Sequence, residues 1–387
     1  MENHLLQSDI WEKYLKTEGK TTHILTDTDF YCLVEETTTP LGKYLYLPYG
    51  PALKTQKNSK SSQKTTQKSK KSANSAQNPQ FPAQNTTTPQ FLADRSTTTA
   101  QNSLQKAIKA LYQLAKSQNA YFIRIEPSFP FKPADIASAA KKQHLTAKKS
   151  KNLDPEYTWV LDLQTTTEDD LLKNMESRKV RYWRNAQKKG ITIRTSQNPA
   201  DITILTNFLE KLGEKDNFTP QTKNHLKNQL KSGNFATLYI ADYQEPEPQP
   251  QNNNPEPHKT PSHHQNDQKS KKSIPIAAAL VYDFNGVRYY AHAATDFEHR
   301  KFQAGSILLI QMILDAKKAG AKIFDFWGIT KSTDPNHPWY HFTQYKKSFG
   351  GREVPYSGTY DLILNPQKYR AYQLLRKANR LKRKIFK

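Results

Sequence analysis

Residues 304–329 read AGSILLIQMILDAKKAGAKIFDFWGI, a buried helix that stops at Gly320 and runs into the strand KIFDFWGI. Upstream, VYDFNGVRYYAHAA is a hairpin turning at Asn285-Gly286. Before it, FATLYIADY and IPIAAALVYDF are strand-like and would form an ordinary hairpin without the polar stretch between them. Further back stand the strand ITIRTS and the helices ADITILTNFLEKLGEKD and PQTKNHLKNQLKSG, the second closed by Gly233. The strand YTWVLDL opens this region, followed by EDDLLKNMESRKVRYWRNAQKKG, read as one helix with acids first, bases last and Gly190 as its stop. Downstream, VPYSGTYDLIL closes it.

The N-terminal region repeats the alternation less completely: a helix in SDIWEKYLKTEG, strands in HIL, DFYCLVEE and KYLYLPYGP, the amphipathic helix SLQKAIKALYQLAKSQ and the strand YFIRIEP. Residues 54–103 and 244–273 have no core-forming capacity and are expected to be disordered inserts. His258, His263 and His264 fall in the second insert and read as linker rather than metal ligands. With the inserts set aside, roughly 300 residues remain, enough for two domains. The expected division is 1–153, 154–357 after a basic linker at 141–151, and a strand and basic helix at 358–387 returning to the first domain.

A formal charge of +23 points to a polyanionic partner: nucleic acid, an anionic membrane surface or a phosphorylated substrate. The single cysteine, Cys32, excludes a disulfide framework and a Cys-based zinc site. No stretch has the length of a signal peptide's apolar run or a membrane span, so a cytoplasmic protein is expected, touching membranes at most peripherally.

Strand, helix, strand, two helices, an antiparallel meander, a central helix and further strands are the order of the GNAT acyltransferase fold. The fold expected is therefore α+β, two tandem GNAT-like domains with mixed central sheets. The central helix of that fold normally begins at a glycine-rich turn for the pyrophosphate of acetyl-CoA. Here HRKFQAGS places Gln303 where glycine is wanted, which argues against coenzyme A, and Gly305 is as readily explained by close helix packing.

Five motifs then occur in order: YLPYGP at 46–51, FIRIEP at 122–127, the Arg-rich SRKVRYWRNAQKKGI at 177–191, DFWG at 325–328 and QYKKSFGG at 344–351. In this order they resemble the FemABX family, which moves an aminoacyl group from aminoacyl-tRNA to the stem peptide of a peptidoglycan precursor. Tyr345 stands where the family has Phe, and the coiled-coil arm of some members is absent.

The resemblance implies that Lys346 is the catalytic cation at the carbonyl oxyanion and Glu126 the acceptor of the amine's proton, unless Glu126 only pairs with Arg124. Tyr345 would either stack on the tRNA terminal adenosine or pack, and Asp325 would either bind substrate or cap a turn. Lys43 and Lys215 are placed at the acceptor diphosphate by position alone. Arg181, Arg184 and Lys188 form a tRNA contact or a solvated face. Arg376 and Arg380, in a C-terminal tail with nine Lys or Arg and no acid, face tRNA or anionic lipid. No metal or cofactor is implied; a monomer is expected, with aminoacyl-tRNA and a peptidoglycan precursor as partners. The loop STDPNHPW is expected to shape the donor entrance. Alternatives are an acyl-CoA-dependent N-acyltransferase, a tRNA-dependent transferase for protein N-termini and a noncatalytic RNA-binding protein on the same scaffold.

Overall fold

The computed structural model describes residues 4–54, 97–244 and 273–385, the side chains of 97 and 380–385 excepted. His258, His263 and His264 and most of both inserts lie outside the described residues. Helix α1 (Asp9–Thr17) starts at Ser8, whose hydroxyl accepts from the Trp11 amide. Strands β1 (Thr22–Thr26), β2 (Phe30–Thr39) and β3 (Gly42–Leu47) follow as an antiparallel set, with short β4 (Ala52–Leu53) returning to β2. Helix α2 (Thr97–Ser117) begins inside the segment that composition had assigned to an insert. The reason is its buried stripe of Ala100, Leu104, Ala107, Ile108 and Leu111, which starts before Ser103.

The crossover through α2 lets β5 (Phe122–Ile125) run parallel to β3. Two elements come next that the sequence reading did not contain. Pro133 at its first position starts α3 (Pro133–Lys141), and Asp135 accepts from the Lys132 amide. Strand β6 (Thr146–Lys149) then pairs with residues 360–363. The expected basic linker at 141–151 therefore contains the end of α3, a turn and an edge strand, whose lysines face solvent as edge strands commonly require.

The second sheet contains β7 (Tyr157–Asp162), and two helices, α4 (Glu168–Asn174) and α5 (Ser177–Arg184), follow it where one was expected. The break comes at Met175, which is buried in extended backbone, and Glu176, whose amide donates to Ser348 O at 2.9 Å instead of continuing the helical ladder. Next come β8 (Ile191–Ser196), α6 (Ile202–Asp216), α7 (Lys223–Lys231), β9 (Ala236–Gln244), β10 (Ser273–Phe284) and β11 (Val287–Thr295). Gln244 pairs with Ser273, and Asn285 and Gly286 close the β10–β11 turn with positive φ, both as the sequence implied. Central helix α8 (Ala304–Lys318), β12 (Ile323–Ile329), α9 (Tyr340–Lys347) and β13 (Arg352–Pro355) complete the unit, in the strand order β13-β7-β12-β11-β10-β9-β8. Strand β14 (Tyr360–Ile363) then inserts between β5 and β6 of the first sheet, and α10 (Pro366–Ile385) follows.

The fold is thus mixed α+β, as expected, two units each built on a mixed sheet. Along β10 the side chains sort by the two-residue period of a strand. Ala277, Ala279 and Val281 pack with α8, and Ala278, Leu280 and Tyr282 pack with α6 and α7. The second of these layers also takes in Leu5, Leu6, Trp11, Tyr14, Tyr31, Leu33 and Tyr49, so the N-terminal segment and the second sheet share one core. Ile323 belongs to this shared layer, and the strand alternation puts Asp325 on the same side.

Candidate active site

Strands β11 and β12 run parallel only from Val287–Tyr289 against Ile323–Asp325. Beyond that point β12 bulges: Asp325 faces Val160, yet Gly328 faces Thr158, and Trp327 takes a φ of 64°. Asp325 holds the bulge by accepting from the Thr158 hydroxyl and, at 2.7 Å, from the Trp327 amide. A side chain at Gly328 would collide with Pro155, so glycine is required there. The freed Gly328 carbonyl accepts from Lys346 Nζ at 2.6 Å.

Lys346 is only 1% exposed, and its ammonium lies 3.9 Å from the centre of the Phe342 ring. Burial lowers its pKa to about 7, while the Asp325 carboxylate pulls the other way. Burial pushes Asp325 up to about 6 against the opposing effects of Thr158, the Trp327 amide and Lys346. The bulge therefore supports a lysine that changes charge near neutrality.

Residues 330–339 are built from short side-chain turns: the amides of Ser332, Asp334 and Asn336 each donate to the side chain two residues back, and Thr330 N donates to Thr343 Oγ1 at 3.0 Å. This path delivers Trp339 over Gly328 and leaves the Trp339 and Phe342 rings 43% and 47% exposed. Tyr345 turns inward instead. Its ring meets Phe349 at 5.2 Å and Lys179 at 5.3 Å, and its hydroxyl lies over Gly305 beside Ser306 at the start of α8. Of the two expectations for Tyr345, packing is the one this geometry favours. Gly351, at φ 100°, lies against the Val160 carbonyl with no room for a Cβ, while Trp159 Nε1 donates to Gly350 O at 2.6 Å. The Gly-Gly pair thus fastens the end of α9 to β7.

A second buried ionisable cluster lies in the first unit. Glu126 does not pair with Arg124, which instead grips Asp361 on β14 through bonds of 2.7 and 2.8 Å. Glu126 accepts from the Tyr46 hydroxyl at 2.6 Å, from the Leu153 amide at 3.0 Å, from the Asp154 amide at 3.4 Å and from the Thr359 hydroxyl. The Tyr46 oxygen is also 2.7 Å from Asp154 Oδ2. One phenolic proton cannot serve two carboxylates, so the second carboxyl brings its own. Consistently, removal from water and the Glu126 carboxylate raise Asp154 to about 7. Between the clusters, buried Tyr49 stacks on His4 at 3.9 Å and meets Tyr356 at 5.1 Å; its hydroxyl is driven up by burial and by Asp154, Asp325 and Glu126.

The FemAB family pattern matches residues 205–377. The lipid II:glycine glycyltransferase of Staphylococcus saprophyticus subsp. saprophyticus is 24% identical over 311 residues, covering 69% of this chain and 74% of that one. Aminoacyltransferase FemA of Staphylococcus aureus is 22% identical over 325 residues, covering 69% and 77%. The crystal structure of FemX superposes with a TM-score of 0.69 at 15% identity, over 96% of this chain and 94% of that one. The chain is similar to FemAB-family proteins in sequence over residues 205–377 and to FemX in overall fold.

Both curated relatives carry transferase names, and the chain aligns with each over 69% of its length. Its other expected site residues are scattered. Lys43 is ion-paired with Glu36 at 2.8 Å, and Lys215 at the end of α6 lies 4.2 Å over the Phe297 ring, so the structure places them on different units and not in one diphosphate grip. Arg181 and Arg184 are exposed and border an open groove of about 440 Å3 floored by Leu172, Met175 and Val180. Lys188 is exposed in the following turn. Arg376 lies 5.6 Å over Tyr372 on the body side of α10, and the Arg380 side chain is outside the described residues. Sequence reasoning missed Tyr46, Asp154, Thr158 and Phe342. Tyr46 begins the YLPYGP motif and Phe342 stands four residues before Lys346, so spacing alone contained a signal for both.

Proposed function

We propose that this chain is a FemABX-type acyltransferase that moves an amino acid from aminoacyl-tRNA to the stem-peptide amine of a peptidoglycan precursor, extending an interpeptide bridge. The buried Lys346 at the β12 bulge carries the reading. As the amine attacks the ester carbonyl, an N–C bond forms and negative charge collects on the carbonyl oxygen. The C–O bond to the ribose then breaks, and the proton lost by the amine ends on the freed hydroxyl. Lys346 has one N–H on the Gly328 carbonyl and two left to meet that oxygen, in a place where water is excluded and charge counts for most. The exposed Phe342 ring above it offers a stacking surface for the terminal base of the donor.

Glu126 fits the role of proton acceptor less well, because both of its oxygens already accept from fixed donors. It anchors residues 153–154 and Thr359 instead. Coenzyme A is disfavoured as donor because Tyr345 covers the start of α8, where its pyrophosphate would lie. The test incubates the protein with charged total tRNA and a UDP-linked muramyl pentapeptide and weighs the product. A mass increase of one or more aminoacyl residues is expected from wild type and not from Lys346→Met. No increase with any charged tRNA, or equal rates for both proteins, would overturn the proposal.

A further inference from the structure

Asp325 is only 6% exposed, yet one of its oxygens is idle. The Thr158 hydroxyl and the Trp327 amide both donate to Oδ1, and Lys346 donates to the Gly328 carbonyl, which leaves Oδ2 without a hydrogen-bond partner among the described residues. Two phenols close by share that condition. The hydroxyls of Tyr49, which is 3% exposed, and of Tyr356 make no hydrogen bond among the described residues, although their rings meet edge to face at 5.1 Å. Burial pushes both hydroxyls well above the ordinary phenol range; Asp154, Tyr356 and Asp325 add to it at Tyr49, and Asp325 and Tyr289 at Tyr356. The three polar groups therefore lie within electrostatic reach of one another. Trp327 meets Tyr49 edge to face at 6.3 Å, and since Trp327 and Tyr356 are only half-buried, the cluster reaches the surface at these two rings.

Buried polar atoms without partners are costly unless something supplies the missing bonds. Whatever fits here must donate to a carboxylate oxygen and sit among aromatic rings. An anion would be repelled by Asp325 and, beyond Tyr49, by Glu126. An alkyl chain alone would leave all three groups unpaired. A primary amine meets each need: its N–H groups can reach Oδ2 and the phenol oxygens, and the rings of Tyr49, Tyr356 and Trp327 favour its charged form. We propose that Asp325 Oδ2, the Tyr49 hydroxyl and the Tyr356 hydroxyl form a binding site for a primary alkylammonium, the amino group of the acceptor. The identity of that amine rests on the function proposed above, in which this site holds the nucleophile beside the lysine that meets the oxyanion.

Isothermal titration in the absence of tRNA tests the site apart from turnover, with a lysine-containing UDP-linked muramyl pentapeptide and the same compound acetylated on its side-chain amine. Wild type is expected to bind the free amine about 30-fold or more tightly than the acetylated form. Tyr49→Phe combined with Tyr356→Phe is expected to cut that preference about tenfold. The melting temperature of the unliganded double variant should hold or rise, because two unpaired buried hydroxyls are gone. Equal affinity of wild type for the two compounds would overturn the inference and leave the proposed function standing, with water filling the three bonds. An unchanged preference in the double variant would also overturn it, as would a fall in melting temperature, which would mean that the hydroxyls bond within the protein. Wild type that binds neither compound would refute the peptidoglycan acceptor and this site together. A normal preference beside no product in the mass assay would refute the transfer reaction and keep the site.

Discussion

The two units each bury ionisable groups near their shared core, but they do so differently. In the second, Lys346 and Asp325 have opposite charges, a strand bulge between them and exposed aromatic rings at the rim. In the first, Glu126 and Asp154 are like groups joined through Tyr46, with fixed amide and hydroxyl donors on Glu126. Unused N–H groups on a poorly solvated cation can act on an incoming charge. A carboxylate whose lone pairs are already engaged can only hold its neighbours in place. Under the proposed function, the difference assigns chemistry to one unit and positioning to the other.

The largest expected effect tests that assignment directly. Lys346→Met removes a desolvated cation and keeps the volume, so single-turnover transfer should fall on the order of 100- to 1000-fold while the melting temperature holds or rises. The advantage of wild type over the variant should also depend on pH. Lys346 is cationic below about 7, so the ratio of the two rates should be greatest there and shrink as pH rises. A ratio that grows above pH 7 would make the neutral amine the active form and Lys346 a base.

Glu126→Gln probes the other centre. A carboxamide presents an NH2 where an acceptor is needed, opposite the Leu153 and Asp154 amides or the Tyr46 hydroxyl. Chemical denaturation should show a loss of about 2–3 kcal/mol and single-turnover transfer a drop of no more than about tenfold. A loss of activity beyond about 100-fold with normal stability is what a general base gives and would erase the contrast between the units.

The sequence carried the fold well because its signals were local and mutually consistent: the apolar run of 304–318, the Asn285-Gly286 turn and strands bounded by glycine and proline. It carried the centres less well, for a reason visible in particular residues. Lys346 and Asp325 lie in motifs, but Asp154 acquires its role only when Tyr46 and Glu126, 108 and 28 positions away, fold against it. The split between α4 and α5 was hidden similarly, since the amide that breaks the helix bonds to Ser348. Lys43 looked like a free cation until β2 supplied Glu36.

Asp154→Asn has a smaller effect and a definite sign. The folded protein raises this carboxyl from 3.8 to about 7. Its contribution to stability is thus complete below the unfolded pKa and is lost as pH rises through the folded one. Asn carries no such loss, so the stability of the variant relative to wild type should improve between pH 5 and pH 8, on the order of 1 kcal/mol because Asp154 is only half-buried. Denaturation curves across that range that run parallel for the two proteins would mean that Asp154 is ionised throughout and that the carboxyls share no proton.

The smallest expected effect concerns the rim, which only the second centre possesses. Phe342 covers the Lys346 ammonium with one face and shows the rest of its ring to solvent, whereas Tyr345 is packed between Phe349, Lys179 and Ser306. If the rim receives a base of the donor, Phe342→Ala should raise KM for aminoacyl-tRNA about tenfold, with a lesser change in kcat, and Phe342→Trp should restore it. Tyr345→Phe removes only the hydroxyl beside Ser306 and should leave KM for the donor unchanged. The reverse pattern would put the stacking surface at Tyr345, and that centre would have to open before the donor could enter.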